Sequence, residues 1–325
     1  SSNFETLFIP ALYSGMTFDI IKSPLNPETM KKYIFLLLIA VFVSGLLSAQ
    51  VTAENRVMVT GSQPALVVKL KGADPKFAEA EWKDYTKSYG KVIKVKGSKE
   101  SVIEGIHVKD IGQGTLLNVY SLATPSVDGT DMIVWFNRGG SYLESSDKEY
   151  ATAEEFLQTF AIKVNVDMIA LDLEEQQKKQ SKLENDLTKL QKVNENLHKD
   201  ITNAKAKIDQ AEIDIPLNVR AQETAQADIA NQKGVVESVK ENPEEYKIQQ
   251  KLLAKLESNY TKLQKENESL HKTVTDSNAK IKQAELDIET NLAEQKAAEQ
   301  AIADQKIVVD LVQKKLDEAR SQKPK

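Results

Sequence analysis

The chain has 325 residues, 43 Lys and Arg against 48 Asp and Glu, a formal net charge of −5 and no cysteine. The mild acidity argues against nucleic acid or an anionic membrane surface as the partner. The lack of cysteine excludes disulfides, thiolate catalysis and a lipid-modified cysteine behind a leader.

In chain order, residues 1–29 read as upstream sequence ahead of the true start. Met30-Lys31-Lys32 then opens a basic and apolar stretch, Tyr33 to Val43, followed by small residues to Ala49. This is the layout of a secretory signal peptide over 30–49, with cleavage expected after Ala49 or Ala53. A retained membrane anchor is the competing reading, but the apolar run falls short of the ~20 residues a spanning helix needs. Export follows as an expectation, to the periplasm or the medium of a bacterial envelope.

Residues 54–160 are expected to form a small α+β domain, long enough for one core. Ala65 to Lys71 reads as a strand. Asp74-Pro75 opens a helix running to Tyr89, with Gly90 as its stop. Lys91 to Lys96, Ser101 to Val108, Thr115 to Ala123 and Asp131 to Phe136 read as strands, with a turn over Thr124 to Gly129. Thr152-Ala-Glu-Glu155 resembles a capping box before Phe156, Leu157 and Phe160. The expected architecture is an antiparallel sheet covered by helices on one face.

Beyond Phe160 the aromatic residues almost vanish, leaving only Tyr246 and Tyr260, and a heptad pattern takes over. With a at Leu253, Tyr260, Asn267, Val274 and onward to Leu316, and d at Leu256, Leu263, Leu270, Ser277 and onward to Ala319, the register never slips. A sustained 3.5-residue repeat keeps one apolar stripe facing a partner helix. The stretch Leu183 to Lys199 matches Leu256 to Lys272 at an offset of 256 − 183 = 73 residues, and the seam residues continue to match as far as Val236 and Val309. This reads as a 73-residue internal repeat. Seventy-three is ten heptads plus three residues, so the copies cannot share one unbroken seam.

Asn242 and Pro243 supply the break, as N-cap and first helical residue of a second helix. The expected arms, 161–241 and 244–320, are nearly equal in length. Three pairs of polar seam residues are symmetric about the Asn242–Pro243 bond: Asn194 with Asn291, Asn218 with Asn267, and Gln180 with Gln305. In an antiparallel pair a faces d, and a buried polar side chain penalises other registers. The fold class is therefore an α+β N-terminal domain followed by a long antiparallel helical hairpin, a coiled coil. Pro216 should kink the first arm.

Catalytic signals are weak throughout. His198 and His271 occupy equivalent repeat positions on the flank of the seam, and His107 lacks ligand spacing. Gly112-Gln-Gly114 and Arg138-Gly-Gly140 do not follow a phosphate-loop pattern. Asn137 to Tyr142 is the loop best equipped to touch a ligand, with a hairpin turn as the plainer reading. No metal, cofactor or catalytic residue is expected, and the chain does not read as an enzyme. Two function classes remain. One is an exported envelope protein whose hairpin spaces, scaffolds or binds protein partners, with self-association through the coiled coil. The other is a periplasmic holdase-type chaperone whose arms grip unfolded clients.

Overall fold

The structure is a computed structural model and describes residues 50–324 except 109 and 113. The expected leader over 30–49 and the residues before it lie outside the described residues. Among the described residues nine elements follow in order: β1 (Val51–Met58), β2 (Gly61–Lys71), α1 (Pro75–Tyr85), β3 (Ile93–Lys94), β4 (Ser101–Ile106), β5 (Leu117–Ser126), β6 (Gly129–Asn137), α2 (Tyr150–Ser238) and α3 (Pro243–Arg320).

The six strands form one sheet in the order β1-β2-β6-β5-β4-β3, and every pairing is antiparallel. Successive residues of a strand point to opposite faces. One face collects Leu66, Val68, Leu70, Val119, Met132, Val134 and Phe136 and is covered by Ala78 and Trp82 of α1 and by Leu157, Phe160 and Val164 of α2. Each such fully buried large side chain stabilises the fold by about 1.5–3 kcal/mol. The other face carries a smaller cluster of Ala65, Val67, Ile133 and Trp135 with Met58, flanked by Tyr120, Leu122 and Tyr142.

Several elements differ from the expectation, each for a physical reason. Strand β1 was absent from it, because Val51 to Met58 straddles the expected cleavage sites and carries little apolar signal. Its pairing is long range: Val51 sits opposite Val68 and Ala53 opposite Leu66. Helix α1 stops at Tyr85 rather than Tyr89, where the bonding tightens to three-residue turns, Lys87 N–H to the Asp84 carbonyl at 3.2 Å and Tyr89 N–H to the Thr86 carbonyl at 2.9 Å. The strand expected over Lys91 to Lys96 shrinks to two residues at the sheet edge. Strands β5 and β6 extend through the expected turn to Ser126 and Gly129. Gly129, at φ 151°, packs so tightly that an added Cβ would meet the Leu70 carbonyl oxygen at 2.3 Å, so only glycine fits there.

The capping box is not used. Helix α2 begins at Tyr150 with Glu149 at the N-cap position and no side-chain cap, and Thr152 lies inside its first turn. Glu149 is buried beside Arg138, 3.7 Å away, so a tertiary contact sets the start of the helix. From there α2 runs unbroken through Pro216 to Ser238. The lost amide of a mid-helix proline is tolerated because the neighbouring turns remain paired along the seam.

Candidate functional site: the paired arms and their base

Helix α2 belongs to two structures at once. Its first turns bury Ala153, Leu157, Phe160, Ala161 and Val164 in the domain core. Phe160 meets the Trp82 ring edge-on at 5.0 Å, and Tyr85 Oη donates to the Phe156 carbonyl at 2.9 Å. Such aromatic contacts add about 0.5–1.5 kcal/mol beyond area burial. One turn later Lys163 reaches across to α1. Its ammonium contacts Glu81, lies 3.2 Å from Asp84, and is held at 2.7 Å by Asp167 on its own helix. Burial alone would lower the Lys163 pKa, but the hydrogen bonds its ammonium donates to Asp167, Glu81 and Asp84 raise it well above the ordinary lysine value. Three carboxylates share one ammonium. Burial raises the Glu81 pKa against the pull of Lys163, and the neighbouring Asp167 adds to the rise.

The second helix returns to the same base. Leu173, Val312 and Leu316 form a buried cluster with Val166, Ile169, Ala170, Val308 and Val309 around it. Between base and tip the two antiparallel helices pack on each other, with no third element among the described residues. Small residues bury the middle of the seam: Ala204 and Ala211 on α2, Ser277 and Ala284 on α3. Small side chains at the contact let the axes approach closely.

The polar seam residues take defined partners. Asn194 Nδ2 donates to Asn291 Oδ1 at 3.3 Å, and Asn267 Nδ2 donates to Asn218 Oδ1 at 3.3 Å. Asn218 and Asn291 are the buried members. Each receives a second bond one turn along its own helix, from Gln222 at 2.7 Å and from Gln295 at 2.6 Å. Asn218 also donates to Glu266 at 3.2 Å.

Gln180 and Gln305, expected as a polar pair, make their hydrogen bonds to other partners. Gln180 donates to Glu184 on its own helix at 2.8 Å. Gln305 instead reaches one turn closer to the base, and its Nε2 donates to the carbonyl and to Oε1 of Gln176, both at 3.1 Å. A glutamine is long enough to leave its layer, and a backbone carbonyl plus a side-chain carbonyl outcompete one side-chain partner. Gln232 does the same to Gln249 near the tip, at 3.2 Å and 2.8 Å. The signal was present in the sequence: 305 − 232 and 249 − 176 both equal 73.

The tip is a linker of Val239 to Asn242. Asn242 Oδ1 accepts from the Glu245 amide at 3.4 Å, and Pro243 opens α3. This cap satisfies one of the orphan donors, and the acidic first turn of Glu244 and Glu245 complements the helix dipole.

The remaining candidates occupy structural positions. In the Asn137 to Tyr142 turn, Asn137 Oδ1 accepts from the amides of Gly139 and Gly140 at 2.8 Å and 3.2 Å. Arg138 Nη2 donates to Asp147 Oδ2 at 2.7 Å. The Glu144 amide does most to hold the Asp147 carboxyl below the usual range, burial opposes it, and Arg138 adds to the lowering. His107, His198 and His271 are all exposed. Among the described residues, no group of three or more His, Cys, Asp or Glu side chains is arranged to hold a metal ion. No helix among them is long and apolar enough to cross a membrane.

No protein-family model matches this chain, and no curated protein does.

Proposed function

We propose that this is an exported cell-envelope interaction protein whose helical hairpin acts as a rigid spacer that presents protein-binding surface away from a small anchoring domain. One observation carries the reading. Helix α2 is continuous from the domain core to the tip, and α3 returns to the same base at Leu316. From Val164 to Ser238 that is an arm of about 110 Å at 1.5 Å per residue. A helix rooted by Phe160, Val164 and Lys163 transmits position from core to tip without a flexible joint. The domains follow as a leader over 30–49, the sheet domain, and the two arms.

The same reading takes the arms as a duplicated 73-residue unit. The recurrence of the Asn and Gln bonds at that offset supports it. A contact between one copy and the other then recurs about a pseudo-two-fold axis, so the two arms behave as an isologous dimer fused into one chain.

Exposed Ile213, Leu217, Leu286 and Leu292 on the arms favour a second reading, the holdase-type chaperone.

Photo-crosslinking residues placed at Lys240 near the tip, in cells, test the spacer. Discrete protein adducts in the envelope fraction are the expected result. A cytoplasmic protein without adducts would overturn it. Suppression of client aggregation by the purified chain would move the assignment to the chaperone. Sequencing the mature N-terminus tests export, and Gln50 is the expected first residue, because removal up to Ala53 would strip Val51 from β1. A retained Met30 in the membrane fraction would replace the leader with an anchor.

A further inference from the structure

One face of the arms carries charges that the hairpin itself leaves unmatched. In the register set by Asn194 with Asn291 and Asn218 with Asn267, Asp200 stands across the seam from Asp287. One heptad further on, Lys207 stands across from Lys280. All four are exposed and line one groove of about 450 Å³. The flanking positions of a coiled coil ordinarily set opposite charges against each other across the seam, and here like meets like twice. No ion pair relieves them among the described residues. Asp276, one turn from Lys280, is taken by Lys272 at 3.0 Å, and Asp287 accepts from the neutral Gln283 amide at 2.9 Å. The floor of the groove is Ala204, Ala284 and Ser277, all more than nine-tenths buried. Ser277 lies at the level of the two lysines, and its hydroxyl makes no hydrogen bond among the described residues. A buried hydroxyl without a partner is unfavourable and calls for one.

The two ends of the groove are opposite in character. The lysine end offers two ammonium groups and a hydroxyl donor, and the aspartate end, about 10 Å away along the arm, offers two carboxylates. Turned end for end, the groove is complementary to itself. We propose that a second copy of this chain docks here, arm against arm and antiparallel, so that Asp200 and Asp287 of each copy meet Lys207, Lys280 and Ser277 of the other. The contact is isologous, with its two-fold axis halfway between Asp200 and Lys207. That point is also halfway from Val164 at the base to Asn242 at the tip. The arms then overlap along their whole length, and each tip ends beside the other copy's base. Val193 and Leu217 are exposed on the same face, at similar distances on either side of the axis. Docking end for end lays each near the other in the second copy and covers both. The proposal rests on the reading of the arms as an interaction surface and names the partner, and it needs neither export nor the tip.

Sedimentation of the purified full chain tests it. A dimer should form with half-saturation at about 10 μM or below, and about 0.5 M NaCl should weaken it at least about tenfold by screening. Lys207→Glu with Lys280→Glu should leave the chain monomeric at that concentration, and so should Asp200→Lys with Asp287→Lys. Mixing these two variants should restore a dimer, because each then supplies the charge the other lacks. The chain carrying all four reversals is again self-complementary and should dimerise like the wild type, which decides the matter if either partial reversal fails to fold. Ser277→Ala should weaken the dimer by about threefold to tenfold. Asn203→Cys, beside the axis, should form a disulfide between chains, and Lys240→Cys near the tip should not. A monomer up to about 100 μM overturns the proposal. So does a dimer that survives either partial reversal, is not rescued by mixing, or crosslinks through Lys240→Cys. A monomer would leave the spacer standing with a different partner, whereas a tip without adducts in cells would remove the spacer and leave the dimer.

Discussion

Asn267 Nδ2 donates to Asn218 Oδ1 at 3.3 Å across the seam of the two long helices, forty-nine residues away along the chain. The bond makes register a matter of pairing rather than of greasy contact. Sliding one helix by a heptad would put Asn218, one of the few buried polar seam residues, against an apolar side chain.

Engineered thiols report that register directly, since the chain has no cysteine of its own. Asn194→Cys with Asn291→Cys should form a disulfide within one chain, because facing seam positions bring their Cβ atoms near bonding range. Asn194→Cys with Asn267→Cys should not, as Asn267 faces Asn218, about 36 Å further along the arm. Mass and mobility on non-reducing gels read the outcome. Crosslinks between chains would turn the hairpin into an intermolecular coiled coil.

Asn218→Leu should cost about 1–3 kcal/mol, since it strands the Asn267 amide, with some return from the added apolar contact. Asn218→Leu with Asn267→Leu should recover most of the loss while loosening the register, which lowers the yield of the 194/291 disulfide. Denaturant midpoints of the four proteins in the cycle measure it. A fully additive cycle would mean that the pair does not couple.

Lys163→Met should lower the melting temperature and loosen the arm from α1, because it leaves Glu81, Asp84 and Asp167 facing one another. The raised pKa of Lys163 means its contribution is fully present below its ordinary value of 10.5 and is lost only as pH rises through the higher folded value. The deficit of the variant should therefore hold steady from about pH 7 to about pH 9. Glu81 is also raised, so its proton favours the folded state below 4.5, and that benefit is lost as pH climbs through its folded value. The deficit should narrow in acid, where the orphaned carboxylates protonate. Thermal melts across pH check both limbs.

Asp147→Asn acts with the opposite sign. A depressed carboxyl stabilises the fold above its ordinary value of 3.8, and that contribution fades as pH falls through the lower folded value. The variant should be less stable at neutral pH and should converge with the wild type in strong acid. Urea midpoints at neutral and acid pH test it, and a constant gap would assign the loss to packing.

The long helices and their break at Pro243 were legible in the sequence, because heptad periodicity and capping are local and need nothing from the rest of the chain. The antiparallel sheet was legible in outline, through alternation and turn residues. What only the tertiary structure decided depends on contacts far apart in sequence. Strand β1 carries too little apolar signal to announce itself and exists because β2 offers it an open edge. Helix α2 starts at Tyr150 because Arg138 gathers Asp147 and Glu149, not because of Thr152. Gln305 bonds Gln176 rather than Gln180, because reach and the second lone pair of a helix carbonyl outweigh layer symmetry. The pairing of Lys163 with α1 is likewise invisible in a linear pattern. Periodicity says which face of an element is buried, and only packing says which partner meets it there.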